Sequence, residues 1–496
     1  NRTRTTTTTM RSEARGRRSA RNRAAAAALL AVAELALPVA APAQDRWLVD
    51  WDVTGREAVD LLVDLVRIES VNPPGNESRV VEYLESVLAA EGIDYEIFEK
   101  EPGRANLVAR YEGNGSKPPI LIMGHTDVVG VQADKWSEPP FSGLRKDGYV
   151  WGRGTLDDKD NVTAGLLVLL LLHRLDVPMD RDIIFLAEAG EEGTPEVGIT
   201  FMVEEHWDVI AAEYAIAEGG SSQTMDGEVA VVGVQTTEKV PRRATLVARG
   251  TAGHGSRPRP DNAITMLAEA VARAGRWETP VRLNETTRAY FERMASLSSG
   301  EEAHRYANVA NPEHQAAIDA WFREHDPMHY SMLRTSVVPT VIDGGFRRNV
   351  IPSTAEAMLD IRMLPDEDPE AFFAELAALI DNPAIEIVPE RVYRPVAAPS
   401  GIDNEMFAVI ETVAERLYPA ATTLPVMATG ATDMAQLRAR GVEAYGIGPA
   451  RTLEEMNSRF GAHSDDERIA EDALVDMVRF LWNIVLEIGA AQEPVS

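Results

Sequence analysis

The stretch IIFLAEAGEEG at residues 183–193 runs an apolar segment straight into two adjacent carboxylates, Glu191 and Glu192. Its apolar half has the length and composition of a buried strand. An isolated Glu-Glu pair is usually a solvated turn, so the meaning of this one depends on how other segments end. "ILIM" (120–123) runs into Gly124, His125, Thr126 and Asp127. "YAIAE" (214–218) ends on Glu218 before two glycines, and "GYVWGRGTL" (148–156) leads to Asp157 and Asp158 at the start of an apolar helix. In open α/β sheets ligands bind beyond the carboxyl ends of the strands, so these tips can converge on one point. Acidic and histidine-bearing tips gathered there repel one another unless a cation sits among them. The pattern therefore requires a metal.

The rest of the composition narrows what that metal site can be. The chain has 496 residues, 45% hydrophobic and 26% charged, which predicts a globular protein of two domains. A formal net charge of -29 disfavours nucleic acid and anionic membrane as partners. There is no cysteine, which excludes disulfides, a thiol nucleophile and thiolate metal ligands. Any metal must be held by histidine and carboxylate. Residues 1–44 join a basic segment, an apolar segment and the small residues of "APAQ", the three parts of a secretory signal peptide. The chain is read as secreted or periplasmic. The apolar run TAGLLVLLLL (163–172) is too short to span a membrane, so no stable membrane insertion is expected.

Strand-like runs alternate with helical periodicity over residues 45–238, which predicts an α/β sheet, mostly parallel and flanked by helices. From residue 239 to 394 the order becomes β-α-β-β-α-β, the signature of an inserted ferredoxin-like α+β domain. Its first helix is followed by a long helical insertion at 280–333. Residues 395–496 return to the larger domain and close with the helical run EDALVDMVRFLWNIVLEIG (471–489).

Neither HExxH nor GxSxG occurs. "GRGTLD" opens like a dinucleotide fingerprint but has Asp157 where the third glycine belongs. Instead "GHTDVV", "GRGTLDDK", "EEG", "AEGG", "GTAGHGSRP", "NVIP", "DIRMLP", "GATD" and "GAHSDDE" follow one another between residues 124 and 467. In this order they resemble the M20 family of metallopeptidases, which includes glutamate carboxypeptidase, aminoacylase, dipeptidases and succinyl-diaminopimelate desuccinylase.

That resemblance implies a zinc-exopeptidase-like catalytic domain, a dimerisation domain and two Zn²⁺ ions, with Co²⁺ or Mn²⁺ as substitutes. It implies that His125 and Glu218 hold one metal, Glu192 and His463 the other, and that Asp157 bridges them across a cis Asp157–Asp158 bond. Asp127 would orient the His125 imidazole. Glu191 would be the general base that activates water and then protonates the departing amine. His254 would complete the partner's oxyanion site across a homodimer. Arg362 would grip a substrate carboxylate, with Asn349 and Thr432 as further substrate contacts. The implied reaction is hydrolysis of an amide bond next to a free carboxylate, in a dipeptide or short peptide. The alternatives are an N-acyl-amino-acid amidohydrolase and a non-catalytic binding protein of the same fold. The chain departs from the family pattern at Gly130 and Asp160, in the lengthened EEGTPEVG loop and in the 280–333 insertion.

Overall fold

Period-two alternation along the central strands decides the layering. In the strand Ile120–His125, Ile120 and Ile122 join one apolar cluster, while Leu121 and Met123 join another on the opposite face. The strand Ile183–Glu188 divides in the same way, and all six of its residues are buried. A strand buried on both faces reads as continuous apolar sequence, which is why these runs carry no polar alternation. The helices Trp51–Arg67, Lys159–Arg174 and Glu471–Gly489 cover one face. The shorter helices Ile199–Glu205 and Met434–Ala439 cover the other. Residues 159–172 are buried along the whole apolar helix, as its composition predicts.

The protein is described here by a computed structural model covering residues 47–391, 394–456 and 458–491. The signal-peptide reading of residues 1–44 lies outside the described residues. Among them, no helix is long and apolar enough to cross a membrane.

The large sheet has ten strands, and its centre is parallel. Strands Ile183–Glu188, Ile120–His125, Tyr214–Ala217 and Glu443–Gly446 run the same way in that spatial order. Its margins are mixed, with Ala105–Tyr111 antiparallel to Ile183–Glu188 and Ser221–Met225 antiparallel to Glu228–Glu238. The expectation of a mostly parallel sheet therefore holds, with antiparallel pairs toward the margins, as where the short connection from Tyr95–Glu99 to Ala105–Tyr111 turns the chain directly back. One marginal strand, Thr422–Ala428, contains Pro425 and among the described residues pairs only with Glu228–Glu238. An edge position tolerates proline because one side of the strand needs no ladder donor.

The second sheet has the spatial order Ser336–Gly344, Thr354–Met363, Val240–Arg249, Ile385–Pro389, and every neighbouring pair is antiparallel. With the helices Ala263–Ala274 and Pro369–Ile380 it forms the β-α-β-β-α-β arrangement read from the sequence. Its core is built from Leu246, Leu267, Leu359, Ile361, Phe372 and Leu376. The edge strand Ser336–Gly344 leaves Val338, Val341 and Ile342 exposed, with Phe346 just beyond it. The 280–333 insertion is helical over Glu285–Leu297, Gly300–Ala307, Gln315–His325 and Pro327–Met332. It has its own aromatic core of Tyr290, Phe291, Tyr306 and Phe322, which packs on Leu424 and Met427 of the large sheet.

Candidate metal centre

The parallel strands deliver the functional side chains from their carboxyl ends. His125 is the last residue of its strand, Glu218 directly follows Tyr214–Ala217, and the turn bearing Glu191 and Glu192 follows Ile183–Glu188. That turn begins at Gly190, whose φ of +85° is open to glycine; a Cβ there would lie 2.4 Å from the Thr194 carbonyl. Asp157 precedes the apolar helix and is joined to Asp158 by a cis peptide bond.

The side chains converge. Asp157 reaches both imidazoles: Oδ1 lies 2.9 Å from His125 Nε2 and Oδ2 lies 2.9 Å from His463 Nε2. His463 Nε2 is also 3.1 Å from Glu192 Oε1. Donor atoms of His125, Asp157 and Glu192 fall within 4.8 Å of one another, and so do those of His125, Glu191 and Glu218. Geometry alone thus groups Glu191 with possible ligands. His463 arrives from a distant loop with φ +62°, a left-handed conformation uncommon outside glycine and concentrated at functional sites.

The electrostatics identify what this cluster is built to hold. Burial pushes Glu218 well above the usual carboxylate range, with repulsion from Glu191 and Asp158 adding to it. Burial also pushes Glu191 up to about 7, against the pull of Arg394. Burial acts on Asp157 in the same direction, but hydrogen bonds from His125 and His463 outweigh it and hold that carboxyl low. His463 is pushed up to about 10, chiefly by its hydrogen bonds to Asp157 and Glu192. The cluster stabilises positive charge placed between its members. Two imidazoles and three carboxylates around such a point suit divalent zinc, cobalt or manganese, so the residues fit the metal that the sequence implies.

Asp127 does more than the sequence suggested. Its Oδ1 accepts from the amides of Gly190 and Glu191 at 3.0 and 3.2 Å. Its Oδ2 accepts from the Glu192 amide at 3.1 Å and from Asn72 at 2.7 Å. The carboxylate therefore holds the Glu191–Glu192 turn in place. His125 Nδ1 lies 2.9 Å from the Asp127 carbonyl and 3.4 Å from Oδ1, so the main chain makes the shorter contact with the ring.

The remaining sequence candidates are spread out. Arg362 lines the cleft above the cluster, together with Gly430 and Ala431. Its guanidinium is held by Asp360, with Nε 2.8 Å from Oδ1. Thr432 lies below that surface: it is buried, and its hydroxyl donates to Glu238 Oε2 at 2.6 Å. Glu238 is also paired with Arg438 at 3.0 Å. Thr432 thus belongs to a buried polar network, and the small size of its neighbours leaves the cleft wall to their backbone. His254 ends one strand of the short ribbon formed by Gly253–His254 and Val350–Ile351, Asn349 directly precedes the other, and both side chains are exposed. Neither lines the cleft of its own chain. His254 Nδ1 accepts from the Ser256 amide and lies 2.7 Å from the Ser256 hydroxyl.

Sequence reasoning missed Arg394, Asp433 and Arg242. Arg394 pairs with Glu191 and lies 3.3 Å from Asp433. Arg242 donates to the Arg394 carbonyl at 3.0 Å. Asp433 closes the GATD motif, but nothing in the sequence assigned it a role; Arg242 and Arg394 lie in no motif and meet the site through the packing of the second sheet against the first. Asp160, noted as a departure, is fully buried with neither carboxylate oxygen hydrogen-bonded.

Comparison with known proteins agrees with this geometry. A family model described as peptidase family M20/M25/M40 matches residues 121–487. The human N-fatty-acyl-amino acid synthase/hydrolase is 26% identical over 420 residues, covering 83% of this chain and 82% of that protein. A probable succinyl-diaminopimelate desuccinylase of Staphylococcus aureus is 28% identical over 425 residues, covering 84% and 94%. Among solved structures, an M20 family metallo-carboxypeptidase from Sulfolobus solfataricus superposes with a TM-score of 0.66 at 19% identity, covering 87% of this chain and 99% of that one. With the matching model spanning most of the chain and the histidine–carboxylate cluster at the strand ends, the protein is an enzyme that belongs to peptidase family M20/M25/M40.

Proposed function

We propose that the enzyme hydrolyses an amide bond next to a free carboxylate, in dipeptides or short peptides, using two divalent metal ions. The observation that carries this reading is the convergence of Glu191, the histidine–carboxylate cluster and Arg362 on one cleft of about 530 Å³, a volume suited to a small ligand. His125 and Glu218 would hold one ion, Glu192 and His463 the other, and Asp157 both. Zinc bound there would polarise the scissile carbonyl and acidify water. Glu191, its side chain 9% exposed, takes the proton from the attacking water. The same carboxyl then gives that proton to the departing amine. Burial favours the protonated form of this carboxyl, the direction that accepting the proton of water requires. Asp127 keeps Glu191 aimed by fixing the amides of its turn. Arg362 offers its guanidinium to the substrate carboxylate and thereby sets which bond meets Glu191.

The second reading changes the substrate to N-acyl amino acids, and similarity to the human N-fatty-acyl-amino acid hydrolase favours it. Both substrates present the same bond beside the same carboxylate. We further propose a secreted or periplasmic homodimer. The exposed Val338, Val341, Ile342 and Phe346 at the open edge of the second sheet support self-association. The exposure of His254 away from its own cleft supports a role in the partner's. The test is amine release from a panel of dipeptides and N-acyl amino acids, with chelated and Glu191→Gln samples as controls. Chelator-sensitive release that vanishes in the variant is expected, and the preferred members choose between the two readings. No release from a chain with two bound metals refutes the substrates; a chain that binds no metal refutes the mechanism.

A further inference from the structure

The cleft has an acidic floor and a basic wall, and the wall carries more positive charge than the proposed reaction uses. Five arginines line it: Arg242, Arg243, Arg362, Arg391 and Arg394. Apart from Glu390, every acid lining the same cleft (Asp157, Glu191, Glu192 and Glu218) belongs to the floor. Such a concentration of arginine is unexpected in a chain of net charge -29. Two members are balanced within the protein, Arg362 by Asp360 and Arg394 by Glu191 and Asp433.

Arg242 is not. It is 7% exposed and its Nη1 donates only to the Pro241 and Arg394 carbonyls, at 2.8 and 3.0 Å. Its Nε has no hydrogen-bond partner, and it makes no ion pair among the described residues. Burial lowers its pKa with no acid to offset the effect. Arg243 follows it at the exposed rim and likewise has no ion pair among the described residues. A guanidinium buried without a counter-ion is costly, and a cleft wall is where a ligand can supply the missing charge. The bidentate fork of arginine matches a carboxylate. One carboxylate is already assigned to Arg362, so the uncompensated charge at Arg242 and Arg243 calls for another.

We infer that the substrate carries a second carboxylate, in addition to the one beside the scissile amide, and that Arg242 receives it, with Arg243, the next residue of the same strand, adding positive charge at the rim. This inference rests on the hydrolase reading for the first carboxylate. The second can come from an acidic amino-acid side chain or from a dicarboxylic acyl group, and both present the same chemistry to the wall.

The test is calorimetric binding to the zinc-loaded Glu191→Gln chain, with two pairs of probes matched in shape. N-acetyl-glutamate is compared with N-acetyl-glutamine, and N-succinyl-leucine with the same compound bearing a terminal amide. At least one dianionic probe is expected to bind about tenfold or more tightly than its neutral partner, as a charged hydrogen bond implies. Discrimination in the glutamate pair places the second carboxylate on the amino-acid side, and discrimination in the succinyl pair places it on the acyl side. Adding Arg242→Gln should bring that ratio close to one, and Arg243→Gln, at an exposed position tolerant of substitution, should lower it in part. The inference is overturned by ratios of one in both pairs, by a ratio that survives both substitutions, or by binding of none of the four probes. Turnover of the same compounds by the unsubstituted chain is scored separately. Release without discrimination defeats the basic wall alone, whereas discrimination without release defeats the hydrolase reading and leaves the wall.

Discussion

The floor and the wall of the cleft are built by different means. The floor is assembled from the ends of neighbouring parallel strands, so His125, Glu218 and the 190–193 turn are brought together by the same ladder that makes the core. The wall comes from two neighbouring strands of the second sheet, Val240–Arg249 and Thr354–Met363, and from the chain returning at Arg394. It meets the floor at the Arg394 pairs with Glu191 and Asp433. A floor made this way has its chemistry fixed by local geometry. A wall made this way can change its charge without disturbing the strands beneath, which suits a division between reaction and selectivity.

Four substitutions would sharpen or break that division. The largest effect is expected at Asp157, which reaches both imidazoles. Asp157→Ala should release at least one metal and abolish turnover, and metal analysis showing unchanged stoichiometry would contradict a bridging role. Next is Glu191→Gln, expected to lower kcat by roughly 10²- to 10⁴-fold with both metals retained. Loss of metal in that variant would move Glu191 from the reacting water to the ligand set, a possibility that its grouping with His125 and Glu218 makes a real test. On the far side of the comparison, His254→Ala should lower kcat by about 100-fold, the scale of a lost oxyanion donor, without changing metal content or melting temperature. Mixed dimers with Glu191→Gln should recover part of the activity, because one intact site then forms; confirmed heterodimers without recovery would separate His254 from the reaction.

The smallest effect concerns Lys239, buried where the two sheets meet, with its ammonium donating to Ser331 and Ser336. Burial pulls it down to about 7 from the ordinary 10.5, with repulsion from Arg362 and Arg334 contributing. Between these values the unfolded chain binds the additional proton, so this group makes stability rise with pH from about 7 to 10.5 and has no effect on the slope below 7. Lys239→Met should remove a slope of at most about 1.4 kcal/mol per pH unit from denaturant titrations in that window. An unchanged slope would mean that the lysine stays charged at the domain junction.

The elements that were legible in the sequence share a physical basis. The apolar helix over residues 159–172 and the strands at 120–125 and 183–188 are buried on every side, so their composition alone marks them. The β-α-β-β-α-β order at 240–389 was readable because its strands alternate, as the inward Ala355, Ala357, Leu359 and Ile361 show. The strands at 221–225, 228–238 and 422–428 were not identified from the sequence. The strand at 422–428 is marginal and contains Pro425, whereas 228–238 pairs with 221–225, 422–428 and 443–446, the last two remote in sequence, so their pairing reflects available neighbours more than pattern. Thr432 illustrates the same limit at a side chain: its motif placed it near the substrate, while the buried carboxylate of Glu238, far away in sequence, drew its hydroxyl inward.

By itself the sequence carried the family, through the order of its motifs, and singled out histidines and carboxylates that the structure gathers on the floor, because strand, turn and carboxylate adjoin along the chain. The tertiary structure alone decided that Asp127 braces the Glu191–Glu192 turn, that Arg394 meets Glu191, and that Arg242 is left without a counter-ion. Each of these depends on two segments remote in sequence packing at one point, and whether a charge is balanced or bare is a property of the space around it.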